Sequence, residues 1–187
     1  MNRKEPSFKK NGNEKSNANL ITERLIMRQF SEKDIKEFYE IVKKHEVGKW
    51  LGLGKGMSLG EAEGYVNKMI KHWTEHQFGV WALINTDSEE IMGHCGLRFI
   101  DDTEDIEIIY LLDPKFWGKG YATEVGKEVI QYAFNYLGVD QLMARVRKNN
   151  RKSKKVIDKL GFEYMEDREY EGRILSYYKL QCLRYMV

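Results

Sequence analysis

The spacing of apolar residues changes repeatedly along this chain between the period of a strand and the period of a helix. Helical spacing follows Ser31, at Ile35, Phe38 and Val42, and it recurs at residues 59–76, 122–137 and 153–160. Short alternating or continuous apolar runs predict strands at residues 21–29, 78–84, 91–99, 106–112, 141–146, 162–168 and 173–180. The order β-α-α-β-β-β-α-β-α-β-β predicts an α+β fold, because helical crossovers are confined to its second half.

Length and composition indicate one folded domain. The chain has 187 residues, of which 42% are hydrophobic, and its net charge of +2 is too balanced to predict nucleic-acid binding by itself. Residues 1–19 are rich in Asn, Lys and Ser and contain five basic and two acidic residues. This composition predicts a disordered basic tail. We expect residues 20–187 to form a single domain.

Cysteine and histidine usage excludes several classes of site. Cys95 and Cys182 do not form a CxxC pair, so the chain carries no disulfide scaffold, and a reducing compartment is expected. The four histidines show no grouping typical of a metal site, and we expect no metal. Because the sequence contains neither a secretory signal nor an apolar run long enough to span a membrane, it predicts a cytoplasmic protein without membrane contact.

The segment IEIIYLLDPKFWGKGYA, residues 106–122, carries the strongest functional pattern. An apolar strand ends at Asp113, a turn with Gly118 and Gly120 follows, and a helix-like sequence opens at Ala122. Glycines let the backbone approach an anion closely, and the unpaired N–H groups at a helix N-terminus point toward it. The turn lacks the Lys-Ser/Thr ending of a nucleotide P-loop and the glycine spacing of a dinucleotide fold. The pattern therefore predicts a phosphate site of another kind.

A second block, Asn150-Arg151-Lys152-Ser153 followed by VIDKLGF, completes a pair of motifs. DPKFWGKGYATEV together with N-x-x-S-x-x-V-I-x-K-L-G-F resembles the GNAT superfamily of acetyl-CoA-dependent N-acetyltransferases. The opening TERLIMRQFSEKD and the segment IMGHCGLRFID resemble more narrowly its RimJ/RimL-type branch, which acetylates the N-termini of ribosomal proteins. The resemblance covers residues 20–180, nearly the whole predicted domain.

This resemblance implies a mostly antiparallel mixed sheet, flanked by helices, in which two parallel strands splay apart and hold acetyl-CoA. Those strands would be residues 106–112 and 141–146. By the same resemblance, Asn150 hydrogen-bonds the pantetheine arm, and backbone N–H groups at Leu111 or Leu112 bind the thioester oxygen. The turn that holds the pyrophosphate would comprise Trp117, Gly118, Lys119, Gly120, Tyr121, Ala122 and Thr123.

The catalytic candidates are Glu107 as general base and Ser153 as general acid. Glu107 lies in IEIIY, where the branch often reads EIGY; it is either the base or a strand glutamate in an ion pair or on the surface. Ile157 stands where many superfamily members have a tyrosine that acts as general acid. Ser153 is therefore expected to protonate the thiolate, to cap its helix, or to do both. His94 is a further candidate, although a lone strand histidine is more often structural.

Partner expectations follow from charge. Residues 145–155 contain seven basic residues in eleven; most are expected on a solvated face, while Arg151 or Lys154 could contact the CoA 3′-phosphate. The acceptor is expected to be a protein N-terminal amine or a small cationic amine such as a polyamine or aminoglycoside. A silent acyl-CoA-binding module and ribosome association remain alternatives, as do monomer and homodimer.

Overall fold

A computed structural model describes residues 19–52, 54–101 and 103–185, apart from the side chain of residue 184. Eight strands form one sheet in the order β1-β2-β3-β4-β5-β6-β8-β7, in which the β5–β6 pair is parallel and the other neighbours are antiparallel. This arrangement confirms the predicted α+β fold with a mostly antiparallel mixed sheet. The strands are β1 Leu20–Ile21, β2 Leu25–Gln29, β3 Val80–Asn85, β4 Ile91–Phe99, β5 Ile106–Leu112, β6 Gln141–Arg147, β7 Glu163–Tyr170 and β8 Arg173–Gln181.

Helices cover both faces of the sheet. One face packs against α1 and α3 through a buried cluster that includes Phe38, Val66 and Leu111. The other face packs against α4 and α5 through a second cluster that includes Val129 and Ile157. We call these the α1/α3 face and the α4/α5 face. The helices are α1 Ile35–Val42, α2 His45–Gly48, α3 Leu59–His76, α4 Tyr121–Gln131, α5 Arg151–Lys159 and α6 Cys182–Tyr185.

Several predicted boundaries are confirmed, including those of strands 91–99 and 106–112 and of helix 59–76. The helix begins with a capping box formed by Ser58 and Glu61. The prediction of one strand at 21–29 is wrong, because the chain turns between β1 and β2, which pair antiparallel. The predicted helix 122–137 begins at Tyr121 and widens into π-helical turns over Tyr132–Leu137. The predicted tail comprises residues 1–19, of which 1–18 lie outside the described residues.

The parallel strands β5 and β6 separate soon after they meet. Their register contains the single pair Glu107↔Met143 within the described residues, whereas β5 pairs with β4 along its whole length. On its other side, β6 pairs with β8 over all seven of its residues. The two strands therefore diverge toward their carboxyl ends and leave a V-shaped opening, which we call the strand cleft. This confirms the predicted splayed pair.

Within residues 19–52, 54–101 and 103–185, none of the helices combines the length and the apolar character needed to cross a membrane. In the same ranges, no three His, Cys, Asp or Glu side chains lie close enough together to hold a metal ion.

Candidate active site

The backbone of β5 faces the strand cleft at alternate residues. The N–H of Asp113 donates to the carbonyl of Met92 in β4 at 2.8 Å. Alternation along an antiparallel pair then directs the N–H of Leu111 toward β4 and the N–H groups of Tyr110 and Leu112 toward the cleft. Of the two amides predicted to bind a thioester oxygen, the geometry favours Leu112.

Trp117 lies beside this exposed stretch of β5. Its indole N–H donates to the Leu112 carbonyl at 2.8 Å, and its ring packs against both core clusters, one from each face of the sheet. Lys152, in the first turn of α5, places its Nζ 4.8 Å from the centre of the Trp117 ring. Residues on the two sides of the strand cleft therefore meet at Trp117.

The turn before α4 has the geometry of an anion cradle. Gly118 and Gly120 adopt φ values of +77° and +85°, a conformation that L-residues with a side chain rarely adopt. Gly120 is the N-cap of α4 and has no side chain to bond the free N–H groups of the first turn, such as that of Ala122. A Cβ added at Gly118 would meet no atom within 4 Å, so the space in front of it is open. These features fit the pyrophosphate of acetyl-CoA.

Arg24, the residue just before β2, stabilises this turn, a role that sequence reasoning missed. Its Nε donates to Glu124 Oε2 at 2.8 Å, its Nη1 donates to the Lys119 carbonyl at 3.1 Å, and its guanidinium stacks 4.0 Å from the centre of the Tyr121 ring. The hydrogen bond to Glu124 raises the pKa of Arg24. The sequence signal for this contact is the arginine of the opening TERL.

Asn150 and Ser153 are together at the start of α5. The Asn150 Oδ1 accepts from the Ser153 N–H at 3.1 Å, so Asn150 is the N-cap and the helix begins at Arg151. The expectation that Ser153 caps the helix is therefore wrong, since an Asn side chain already fills that role. This cap uses the Oδ1 of Asn150, so its Nδ2 is available to donate to a ligand such as the pantetheine arm.

Ser153 pairs instead with Tyr110, which sequence reasoning did not select. The two hydroxyl oxygens are 2.6 Å apart, and the Tyr110 hydroxyl also lies 3.0 Å from the Ser153 carbonyl. Burial raises the pKa of Tyr110, so its phenol stays protonated at neutral pH. These contacts join β5 to α5 and provide two hydroxyl protons at one place.

Glu107 lies on the α1/α3 face and is only 1% exposed. Arg98 Nε donates to its Oε1 at 2.9 Å, and Arg145 donates through Nε to Oε2 at 2.8 Å and through Nη2 to Oε1 at 2.7 Å. Burial opposes the charge of Arg145, but the hydrogen bonds and charge of Glu107 raise the pKa of that guanidinium overall. The ion-pair alternative for Glu107 is present in the structure, and its role as base stays a prediction.

His94 is buried on the same face of the sheet. Its Nε2 lies 3.1 Å from the Tyr65 hydroxyl, and its Nδ1 has no hydrogen-bond partner in the described part of the chain. Burial, with a smaller contribution from the charge of Arg98, lowers the pKa of His94 to about 3. The ring is therefore neutral at physiological pH.

The basic run 145–155 does not form one surface. The prediction that most of its basic residues are solvated is confirmed, since four of the seven are exposed. The exceptions include Arg145, which binds buried Glu107, and half-buried Arg147, whose Nη2 donates to the Leu51 carbonyl at 2.7 Å. Arg145 and Arg147 share one face of β6, whereas Lys148, just past the strand, pairs with Asp167 at 3.0 Å.

Comparison with known proteins agrees with this geometry. Residues 24–163 match the family described as acetyltransferase (GNAT) domain. The N-acetyltransferase p20 of Bacillus licheniformis, whose substrate its name does not give, is 28% identical over 170 residues, which are 88% of this chain and 96% of that protein.

Two solved structures share the fold. A GNAT-family acetyltransferase from Bacillus anthracis superposes with a TM-score of 0.77 at 21% identity, covering 89% of this chain and 99% of that one. The ribosomal-protein-S5-alanine acetyltransferase of Vibrio fischeri gives 0.73 at 16% identity, covering 88% and 96%. With a family match over three quarters of its length, the chain belongs to the GNAT family of N-acetyltransferases, enzymes that transfer an acetyl group from acetyl-CoA.

Proposed function

We propose that this enzyme acetylates the N-terminal α-amine of a protein. The observation that carries the proposal is the state of the groups available to deprotonate an acceptor. Both oxygens of Glu107 accept hydrogen bonds from guanidinium groups, and His94 is neutral with its pKa near 3. An α-amine, with a pKa of about 7.7–8.0, is partly neutral at pH 7 and needs little help, whereas a lysine amine near 10.4 needs a strong base.

Similarity supports the same acceptor class. The Vibrio fischeri protein that shares the fold is named for the alanine of ribosomal protein S5, and the TERLIMRQFSEKD and IMGHCGLRFID segments resemble the RimJ/RimL-type branch. At 16% identity that structure carries the fold, and the acceptor assignment is ours.

The residues of the strand cleft divide the chemical work. Acetyl-CoA supplies an acetyl group activated as a thioester. The first turn of α4 and Gly120 hold the pyrophosphate, and Asn150 donates to the pantetheine arm. The amide of Leu112 donates to the thioester oxygen, where negative charge develops.

Two proton movements remain. Glu107 is buried, so any proton it takes from the acceptor amine passes through an intervening water, using the carboxylate lone pair that Arg98 and Arg145 leave free. Ser153 delivers a proton to the leaving sulfur and regains one from solvent, while the Tyr110 hydroxyl, 2.6 Å away, hydrogen-bonds the serine oxygen and keeps its own proton. Transfer is direct, from the thioester to the amine.

Charge on the α1/α3 face disfavours a polycationic acceptor such as spermidine or an aminoglycoside. That face carries Arg98 on β4 and both Arg145 and Arg147 on β6. Glu107 lies on β5, between Arg98 and Arg145. The acidic side chain of Asp101, which could attract a cationic acceptor, already accepts a hydrogen bond from Tyr170 at 2.6 Å.

The test is release of CoA from acetyl-CoA with a panel of acceptors. It comprises peptides with Ser, Ala, Thr and Met at the N-terminus, spermidine, and several aminoglycosides. Turnover confined to peptides supports the proposal, and turnover confined to polycations overturns it. Tight acetyl-CoA binding without turnover of any of them would instead favour a silent acyl-CoA-binding module.

A further inference from the structure

Arg147 differs from the other arginines of the α1/α3 face in having no counter-charge. Arg98 and Arg145 bind Glu107, and Arg173 pairs with Glu171. The Arg147 guanidinium donates one hydrogen bond, to the Leu51 carbonyl, and no carboxylate of the described residues lies within ion-pair distance of it. Most of its five N–H donors therefore remain available.

A second arginine stands beside it. Arg147 is opposite Leu175 in the β6–β8 register, and Arg173 is two residues from Leu175 on the same face of β8. The Arg173 side chain is only 19% exposed. Burial lowers the pKa of Arg147, and the nearby charge of Arg173 lowers it further. Two partly desolvated like charges on one face of neighbouring strands are stabilised by an anion placed between them.

The loop between α2 and α3 brings the two guanidinium groups to one place. A Cβ added at Gly52 would lie 3.6 Å from Arg173 Nη1, and one added at Gly54 would lie 3.7 Å from Arg147 Nη2. Glycines two residues apart in this loop therefore lie beside both guanidinium groups, where any side chain would pack against these donors.

The position of the pair indicates which molecule supplies the anion. Arg147 is the last residue of β6, beyond the Glu107↔Met143 pair, and so lies beside the strand cleft. It is on the α1/α3 face, in contact with Leu51, whereas Tyr121 and Ala122 of the phosphate turn pack on the cluster of the α4/α5 face. The pyrophosphate and the arginine pair are therefore on opposite sides of the sheet.

We infer that Arg147 and Arg173 bind an anionic group, a carboxylate or a phosphate, carried by the acceptor close to its reacting amine. This inference deepens the proposed function and rests on it for the identity of the amine. For a protein N-terminus, the preferred sequence has a Glu, Asp or phosphorylated residue directly after the first residue.

The kinetic test compares acceptor peptides that differ at the second position. Peptides beginning Ser-Glu, Ser-phosphoserine and Ser-Gln separate a carboxylate, a phosphate and a neutral isostere. We expect kcat/KM to be about tenfold higher for at least one anionic peptide than for Ser-Gln, as one charge-assisted contact allows. Arg147→Gln should remove the preference, Arg147→Lys should keep part of it, and exposed Lys33→Gln should leave it unchanged.

A binding measurement keeps the inference testable if none of the peptides reacts. The Nε–Hε resonances of arginine are recorded with CoA saturating the phosphate turn, while inorganic phosphate or acetate is added at constant ionic strength. A saturable shift of the Arg147 resonance, assigned from Arg147→Lys, supports the anion site even where the proposed function fails. Equal turnover of the three peptides, or no saturable shift with either anion where none reacts, overturns it.

Discussion

Arg24 and Glu124 join the start of β2 to the first turn of α4, with Arg24 Nε 2.8 Å from Glu124 Oε2. The backbone N–H of Arg24 also donates to Glu124 Oε1, at 3.2 Å. Residues a hundred positions apart thereby hold the N-terminus of the helix that we propose to face the cofactor phosphates. If that proposal holds, the residue just before β2 contributes to cofactor binding.

Loss of this contact should weaken acetyl-CoA binding without removing any catalytic group. We predict that Arg24→Gln raises the KM for acetyl-CoA about tenfold and changes kcat by less than about threefold. Steady-state kinetics at saturating acceptor would measure both parameters. Glu23→Gln, at the exposed neighbouring position, is the matched control. An unchanged KM in Arg24→Gln would show that the turn keeps its shape without Arg24.

Gly120 should tolerate no side chain. Its φ of +85° costs an L-residue roughly 1–2 kcal/mol, and a Cβ there would lie 3.7 Å from Nη2 of Arg24, the residue that stabilises the turn. We predict that Gly120→Ala raises the dissociation constant for CoA by more than about tenfold, measured by calorimetry. The control is Gly64→Ala, in the exposed middle of α3, which should stabilise the fold by about 0.5–1 kcal/mol. Equal CoA affinity in the two variants would contradict the assignment of the turn.

Ser153 and Tyr110 should differ in how far they affect turnover. If Ser153 protonates the leaving sulfur, Ser153→Ala lowers kcat about a hundredfold while the KM for acetyl-CoA changes little. Tyr110→Phe keeps the ring and the Ser153 hydroxyl, so its kcat should fall less. Pre-steady-state measurement of acetyl transfer would separate this step from product release. A larger loss in Tyr110→Phe would reverse the two roles.

Glu107→Gln should destabilise the fold, because it leaves Arg98 and Arg145 without their shared carboxylate. Breaking a buried ion pair by removing one partner costs about 3–5 kcal/mol, and urea denaturation would measure the loss. A base role adds a second effect, a fall in kcat of at least about a hundredfold. Reduced stability with an unchanged kcat would assign Glu107 to the ion pair alone.

His94 should make the fold sensitive to acid. Its pKa is about 3 in the folded protein and about 6.5 when unfolded, so between these values the unfolded chain binds a proton that the folded chain excludes. The free energy of unfolding therefore falls with decreasing pH across this window, by about 1.4 kcal/mol per pH unit from this residue. In His94→Gln this dependence should disappear relative to the wild type. Parallel stability curves for the two proteins from pH 6 to 4 would contradict the burial of a neutral imidazole.

The local pattern of the chain was sufficient to predict most of the fold. Strands 91–99 and 106–112 are buried apolar runs, and the helix at 59–76 carries its own capping box, so each is specified by residues near in sequence. The break between β1 and β2 was missed because the three polar residues 22–24 that separate Leu20-Ile21 from Leu25-Ile26 include no Gly or Pro to mark a turn. That turn depends on hairpin pairing, which local pattern does not reveal.

The site was predictable where a motif specifies the backbone, as in the Gly118–Gly120 turn. Side-chain partners were less accessible, since Arg24 meets Glu124 and Tyr110 meets Ser153 across long separations in sequence. The same limit applies at short range. Asn150 and Ser153 are both suitable N-cap residues for α5, and only the structure shows that Asn150 fills this role.

The most direct test of the acceptor assignment uses a peptide with an N-terminal serine and one internal lysine. The enzyme and acetyl-CoA are incubated with this peptide, and tandem mass spectrometry locates the acetyl group. We predict one acetyl group on the α-amine and an unmodified lysine. Acetylation of the lysine, or transfer to spermidine while the peptide stays unmodified, would contradict the proposal that this enzyme acts on protein N-termini.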